Sequence, residues 1–150
     1  MDMLCHVTIS SESVDEIKLD SENKVTVSEI KIKFDTIDNS VVKKGAGMLA
    51  RITIKGMITD DEKSKDQILG LFNWSKSEDS DEWYRTVDIN IMKDKEKAYR
   101  KYHFERMFVV DYTEHYTKSS SEAGKSSQET TMFELELTQD EDNFESVNSF

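Results

Sequence analysis

Apolar and polar residues alternate with a period of two along most of this chain, which is the signature of half-buried strands. Residues 4–9 form the first such segment, and the Ser/Glu/Asp-rich stretch 10–23 that follows reads as a polar loop. In 24–34, Val25 and Val27 share one parity while Ile30, Ile32 and Phe34 share the other, so a bulge or turn is expected near Ser28-Glu29. Gly45-Ala46-Gly47 supplies a flexible turn before 48–58, where Met48, Ala50, Ile52, Ile54 and Ile58 line one face. Gly56 lies on that apolar face, which marks a bulge or close packing by another element.

The period lengthens to that of an amphipathic helix over 61–75. A capping box Thr59-Asp60-Asp61-Glu62 opens it, and Ile68, Leu69, Leu71, Phe72 and Trp74 form its expected buried stripe. After an acidic loop at 77–81, two long strands are predicted at 83–92 and 101–112, joined by a charged connection at 94–97. The first places Trp83, Arg85, Val87, Ile89 and Ile91 on one face. In the second, alternation gives way to the run Met107-Phe108-Val109-Val110, which predicts burial on both faces. Phe133, Leu135 and Leu137 mark the last strand, between a mobile Ser-rich loop at 119–128 and a polar tail at 140–150 with Phe144, Val147 and Phe150 as docking points.

At 150 residues the chain reads as one domain, 1–150, large enough to bury a core without disulfides or metals. Twenty Lys+Arg against 31 Asp+Glu leave a net charge of −11, which disfavours partners with phosphate backbones or anionic lipid. The charge is uneven: 93–106 holds six Lys/Arg and three Asp/Glu, whereas 129–150 holds seven Asp/Glu and no base. In an oligomer such a split sets the polarity of a head-to-tail contact. Cys5 is the single cysteine, and neither a signal peptide nor a membrane-length apolar run is read in the chain, so synthesis in the cytoplasm is expected.

No motif for catalysis stands out. His6, His103 and His115 lack helical metal-ligand spacing, and His103 and His115 with Glu105 and Glu114 read as polar strand positions more simply than as a metal cluster. Cys5 sits in an apolar strand with nothing beside it to activate a thiolate. Asp79-Ser80-Asp81-Glu82 lacks the glycine and distal glutamate of a calcium loop, and no glycine-rich phosphate cradle follows a strand. The aromatic series from Trp83 to Tyr116 suits core and interface packing in so acidic a chain. No catalytic residue, cofactor or metal is expected.

Taken together, the 48–58 strand, the helix, Tyr84-Arg85-Thr86-Val87-Asp88-Ile89 and Tyr102 to Tyr112 resemble the tube proteins of contractile injection systems: the Hcp proteins of type VI secretion and the tail-tube proteins of contractile phage tails. Phe104 to Glu114 is similar to the family's strand that runs into a flexible loop, and Phe133-Glu134-Leu135-Glu136-Leu137 to its final strand. The resemblance implies a mainly β fold, a two-sheet β-barrel with one packed helix, closing as hexameric rings that stack into a hollow tube. It implies as partners other copies of the chain, together with sheath and baseplate or spike proteins. It also implies residence first in the cytoplasm and then in a tail-like particle. Ile68, Leu71 and Phe72 would dock the helix, and Val87, Ile89, Phe104, Phe108 and Val109 would build the barrel and inter-subunit strands. The alternative is a monomeric β-barrel that binds a protein or peptide on its aromatic face; a third reading is a small hydrolase with an unrecognised site.

Overall fold

The computed structural model describes residues 4–36, 48–93, 98–119, 128–139 and 147–149. The elements are β1 (Leu4–Ser10), β2 (Ile17–Leu19), β3 (Val25–Thr36), β4 (Met48–Ile58), α1 (Glu62–Lys76), α2 (Ser80–Trp83), β5 (Arg85–Met92), β6 (Ala98–Ser119), β7 (Gln128–Gln139) and β8 (Val147–Ser149). Gly45-Ala46-Gly47, the 94–97 connection, 120–127 of the Ser-rich loop, and Phe144 and Phe150 of the tail lie outside the described residues. Within the tail, 147–149 form β8, which pairs with 102–104 of β6.

All pairings are antiparallel, and seven strands follow the order β2-β1-β5-β6-β7-β4-β3, with β8 beside β6 off that path. The fold is therefore mainly β with one packed helix, but the expected two-sheet barrel is not formed. There is one sheet, and among the described residues no ladder joins its end strands β2 and β3. The reason lies at the short end strand. β2 has only three residues, and the outward Lys18 N–H donates to Oε1 of Gln67 on α1 at 2.7 Å. A helix side chain thus satisfies the edge donor that a closing strand would have taken. The sheet still curls: β2 touches β3, and α1, about 22 Å long, touches β2, β4 and β6 from well-separated places in the strand order.

Alternation in sequence becomes burial on one face. Val7, Ile9, Ile54, Val87, Ile89 and Leu135 are fully buried, each contributing up to about 1.5–3 kcal/mol by removal from water. Ser28 is the residue skipped between the pairs Val27↔Gly56 and Glu29↔Lys55, so the bulge expected from the parity change is present. Gly56 explains itself through close packing. A Cβ there would lie 2.6 Å from both Phe133 Cε1 and the Thr26 carbonyl oxygen, so the ring of its cross-strand partner occupies the space a side chain would need.

β6 corrects the reading of the run 107–110. Besides one at Tyr99 near its start, two irregularities interrupt this strand around the run. At the first, Thr86 of β5 faces both Glu105 and Arg106, with Arg106 at φ 56; at the second, Val110 is skipped between Val109↔Leu137 and Asp111↔Glu136. Each inserted residue flips the side-chain parity. Phe104 and Met107 are both buried although three residues apart, while Val110 is 58% exposed. The continuous apolar run reflects bulges, not burial on both faces.

The helix begins at Glu62, and its N-cap lies two residues beyond Thr59, where the capping box places it. Asp61 is the N-cap, accepting from the Lys63 N–H at 2.9 Å, and the buried Ser64 hydroxyl accepts from the Thr59 N–H at 3.1 Å. The loop expected at 77–81 instead contains the single turn α2. It is locked by two indoles: Trp74 Nε1–H donates to the Trp83 carbonyl and Trp83 Nε1–H to the Ser77 carbonyl, both at 2.8 Å. Trp83 therefore belongs to this turn and not to β5.

Candidate functional site

The buried stripe of α1 is Ser64, Ile68, Leu71 and Trp74, at helical spacing. Two expected stripe members fall on its flank: Leu69 is 56% and Phe72 42% exposed. They form one wall of an open groove of about 930 Å³, whose other wall is the distal part of β6 and whose lining also includes Ile58 and Thr131.

Tyr112, Glu114 and Tyr116 line that second wall. Their i, i+2, i+4 spacing puts all three on one face of the strand, opposite Leu135, Phe133 and Thr131 of β7. This is the core-side face, so Glu114 is a carboxylate in an apolar parity, beside the buried Phe133 and Leu135. Two phenols satisfy it. Tyr112 Oη–H donates to Glu114 Oε2 at 2.8 Å and Tyr116 Oη–H to Oε1. Burial first, then these carboxylate contacts, push the Tyr112 phenol up; the hydrogen bond to Glu114 does most of it for Tyr116. Both phenols therefore stay protonated donors. At the groove's near end Lys65 Nζ lies 2.8 Å from Asp60, a fully solvated pair that leaves Glu114 as the uncompensated charge of the lining.

A second polar cluster lies nearer the start of β6. His103 faces its cross-strand neighbour Asp88 with Nδ1 2.5 Å from Oδ1, and Nε2 is 3.3 Å from Glu105 Oε1. The Asp88 hydrogen bond chiefly raises the imidazole's pKa, against a smaller opposing effect of burial. His103, His115, Glu105 and Glu114 thus do not converge: Glu114 belongs to the tyrosine pair and His103 to Asp88. Among the described residues no three His, Cys, Asp or Glu side chains are grouped to hold a metal. Burial pushes the Cys5 thiol up, away from the nucleophilic thiolate.

Arg85 is the buried cation of the molecule's described core. Its Nε–H donates to the Glu82 carbonyl at 3.3 Å and its guanidinium lies 5.0 Å from the Trp74 ring centroid. Burial lowers its pKa while the Glu82 carboxylate works in the opposite direction. This contact ties β5 to the α1–α2 turn.

Of the residues singled out from the sequence, Ile68 and Leu71 are buried beneath the helix and Phe72 lines the groove. Val87, Ile89 and Phe104 are wholly enclosed, and Phe108 and Val109 are half-buried between the bulges at Glu105-Arg106 and Val110. The Tyr112–Glu114–Tyr116 arrangement was not singled out as a unit. The signal for it is the Tyr-x-Glu-x-Tyr spacing itself, which places an acid on the same face as two aromatics.

No family model and no curated protein sequence matches the chain. Solved structures do. Hcp1 from Flavobacterium johnsoniae superposes with a TM-score of 0.50 at 11% identity, over 91% of this chain and 89% of that one. The fold is that of Hcp. Hcp1 from Salmonella typhimurium gives a TM-score of 0.48 at 14% identity, covering 89% of this chain and 81% of its own. A structure described as a type six secretion system protein gives 0.49 at 13% identity, covering 88% and 77%. At such identities the likeness is one of fold.

Proposed function

We propose that this chain is a structural subunit of an injection-system or phage-tail-like tube, assembling as hexameric rings that stack into a hollow cylinder. The observation that carries this reading is the Hcp fold spanning 91% of the chain. It is supported by the strands themselves. β3 runs for 12 residues at one end of the sheet, and beyond 107 β6 has a described partner on only one flank, so long strand edges are available for pairing between copies. In this reading the work is mechanical: no bond is made or broken, and the partners are other copies, a sheath, and a baseplate or spike. The chain is made in the cytoplasm and then built into a particle. The subunit contacts run through strand edges, with Phe108 and Val109 near them, while Val87, Ile89 and Phe104 hold the strands in shape from within.

Each copy brings a charge of −11, so closure of a ring depends on salt screening. The test is light scattering with negative-stain electron microscopy over a range of protein and salt concentrations. Rings or tubes that grow with screening are the expected result. A strict monomer throughout overturns the reading. It would favour the second one, a peptide- or protein-binding module, for which the groove beside α1 is the specific support.

A further inference from the structure

The groove between α1 and distal β6 combines three features that a core wall does not need. It leaves Leu69, Phe72 and Tyr116 open, Tyr116 at 67% exposure. It fixes a carboxylate on an otherwise apolar strand face, and it turns two phenol hydroxyls onto that carboxylate so that its charge is held in one place. Aromatic faces around a positioned carboxylate recognise a cation carried on an apolar stem, such as a lysine or arginine side chain.

The chain itself carries the complementary surface at the opposite end of the same strand. β6 starts at the β5 hairpin, where Met92 pairs with Ala98, and its other end is the Ser119↔Gln128 pair near which the groove lies. At the hairpin end Lys93, Tyr99 and Arg100 are exposed, with Lys93 Nζ 4.4 Å from the Tyr99 ring centroid and the Arg100 guanidinium 5.1 Å from that of Tyr102. These residues belong to the 93–106 stretch, the basic part of an acidic chain.

We propose, resting on the ring-and-stack reading above, that the Glu114 groove of one copy receives the Lys93/Arg100 end of a second copy. The two surfaces differ and sit at opposite ends of one molecule, so a pair formed this way still presents one open groove and one open basic end. The contact therefore propagates instead of stopping at a dimer. It gives an acidic protein a polarity for assembly and sets one attraction at a defined residue against the overall like-charge repulsion.

The test is self-association of the full chain by analytical ultracentrifugation at low and high salt. The proteins compared are wild type, Glu114→Gln, Lys93→Glu/Arg100→Glu, Glu114→Lys, and the triple charge swap. Thermal unfolding of each confirms that it is folded, and Glu114→Gln keeps the size and one acceptor oxygen while removing the charge. Glu114→Gln is expected to raise the concentration for half-assembly about tenfold at low salt and by less at high salt, where the pair is screened. Either charge reversal should weaken assembly further, and the swap should restore part of it. If wild type assembles and the folded Glu114→Gln and Lys93→Glu/Arg100→Glu proteins match it at both salts, this contact is wrong while the tube reading stands. If wild type is monomeric in every condition, the tube reading fails and the second copy falls with it. A monomer whose Tyr112 and Tyr116 resonances shift on adding a lysine-rich peptide would instead make the occupant another protein.

Discussion

The two halves of β6 are one strand doing different work. From 98 to 107 it lies between β5 and, at 102–104, β8, with Phe104 and Met107 buried. From 107 to 119 its described partner is β7 alone, Val110 is exposed, and its inner face leaves the core to line a groove. The bulge at Glu105-Arg106 separates them. Core packing is spent on the first half and a surface is presented by the second, which is what a subunit needs if it must fold alone before it binds copies of itself.

The sharpest way to break this comparison is to put one carboxylate against the first half, at the cross-strand partner of Phe104, and one in the second half. Val87→Asp buries an unpaired charge among Ile89, Phe104 and Ile9, and loss of cooperative folding is expected, a cost of about 4 kcal/mol or more. Val109→Asp falls on a half-buried site, so about 1–2 kcal/mol is expected, with a folded protein that fails to assemble. Equal losses by urea denaturation would show that both halves are core.

Gly56→Ala probes the sheet that supports the second half. Its Cβ would meet Phe133 and the Thr26 carbonyl at 2.6 Å, and about 2 kcal/mol of destabilisation is expected by chemical denaturation. Phe133→Leu in the same chain should recover only part of it. A shortened ring leaves room on one side, but the backbone oxygen on the other does not move away.

Most of the strands, the helix and two of the special positions were legible in the sequence because they depend on local periodicity. Ser28 shows as a parity change and Gly56 as a glycine among apolar residues. What was not legible depends on pairs distant in sequence. At the short edge of the sheet Gln67 reaches Lys18, and a side-chain amide on a helix gives no sign of that. The parity of 107–110 rests on Arg106 accepting a left-handed backbone, which a sequence rule assigns to glycine. The groove was hidden for a related reason. Leu69 and Phe72 satisfy helical spacing as well as Ile68 and Leu71 do, and only the direction from which β6 passes decides which pair is covered.

The junction itself offers a smaller test. Arg106→Gly removes the strain of a non-glycine residue at φ 56, a gain of about 1 kcal/mol. It also removes the guanidinium held 4.2 Å from the Tyr84 ring centroid, a loss of about 0.5–1 kcal/mol. Stability should therefore change by less than about 0.5 kcal/mol, and a clear loss would mean that the arginine, and not the kink, holds the halves apart.

The last expected effect is on pH dependence, and it belongs to the first half. His103 gains Asp88 and Glu105 on folding, and its pKa is raised above the ordinary histidine range, chiefly by the Asp88 hydrogen bond. A folded-state pKa above the unfolded one means that the native protein holds the proton more tightly. The stabilisation is then complete below the unfolded histidine pKa of about 6.5. It is lost as pH rises through the folded value. The imidazole and its carboxylate partners remain partly solvated, so the effect is under about 1 kcal/mol. His103→Gln should remove this slope between mildly acidic and mildly alkaline pH. The Tyr112 and Tyr116 phenols should add none over that range, because, raised by burial and by Glu114, they stay protonated. Denaturant midpoints of the two proteins measured across that window separate the halves once more. A slope that survives in His103→Gln would place the titrating group elsewhere.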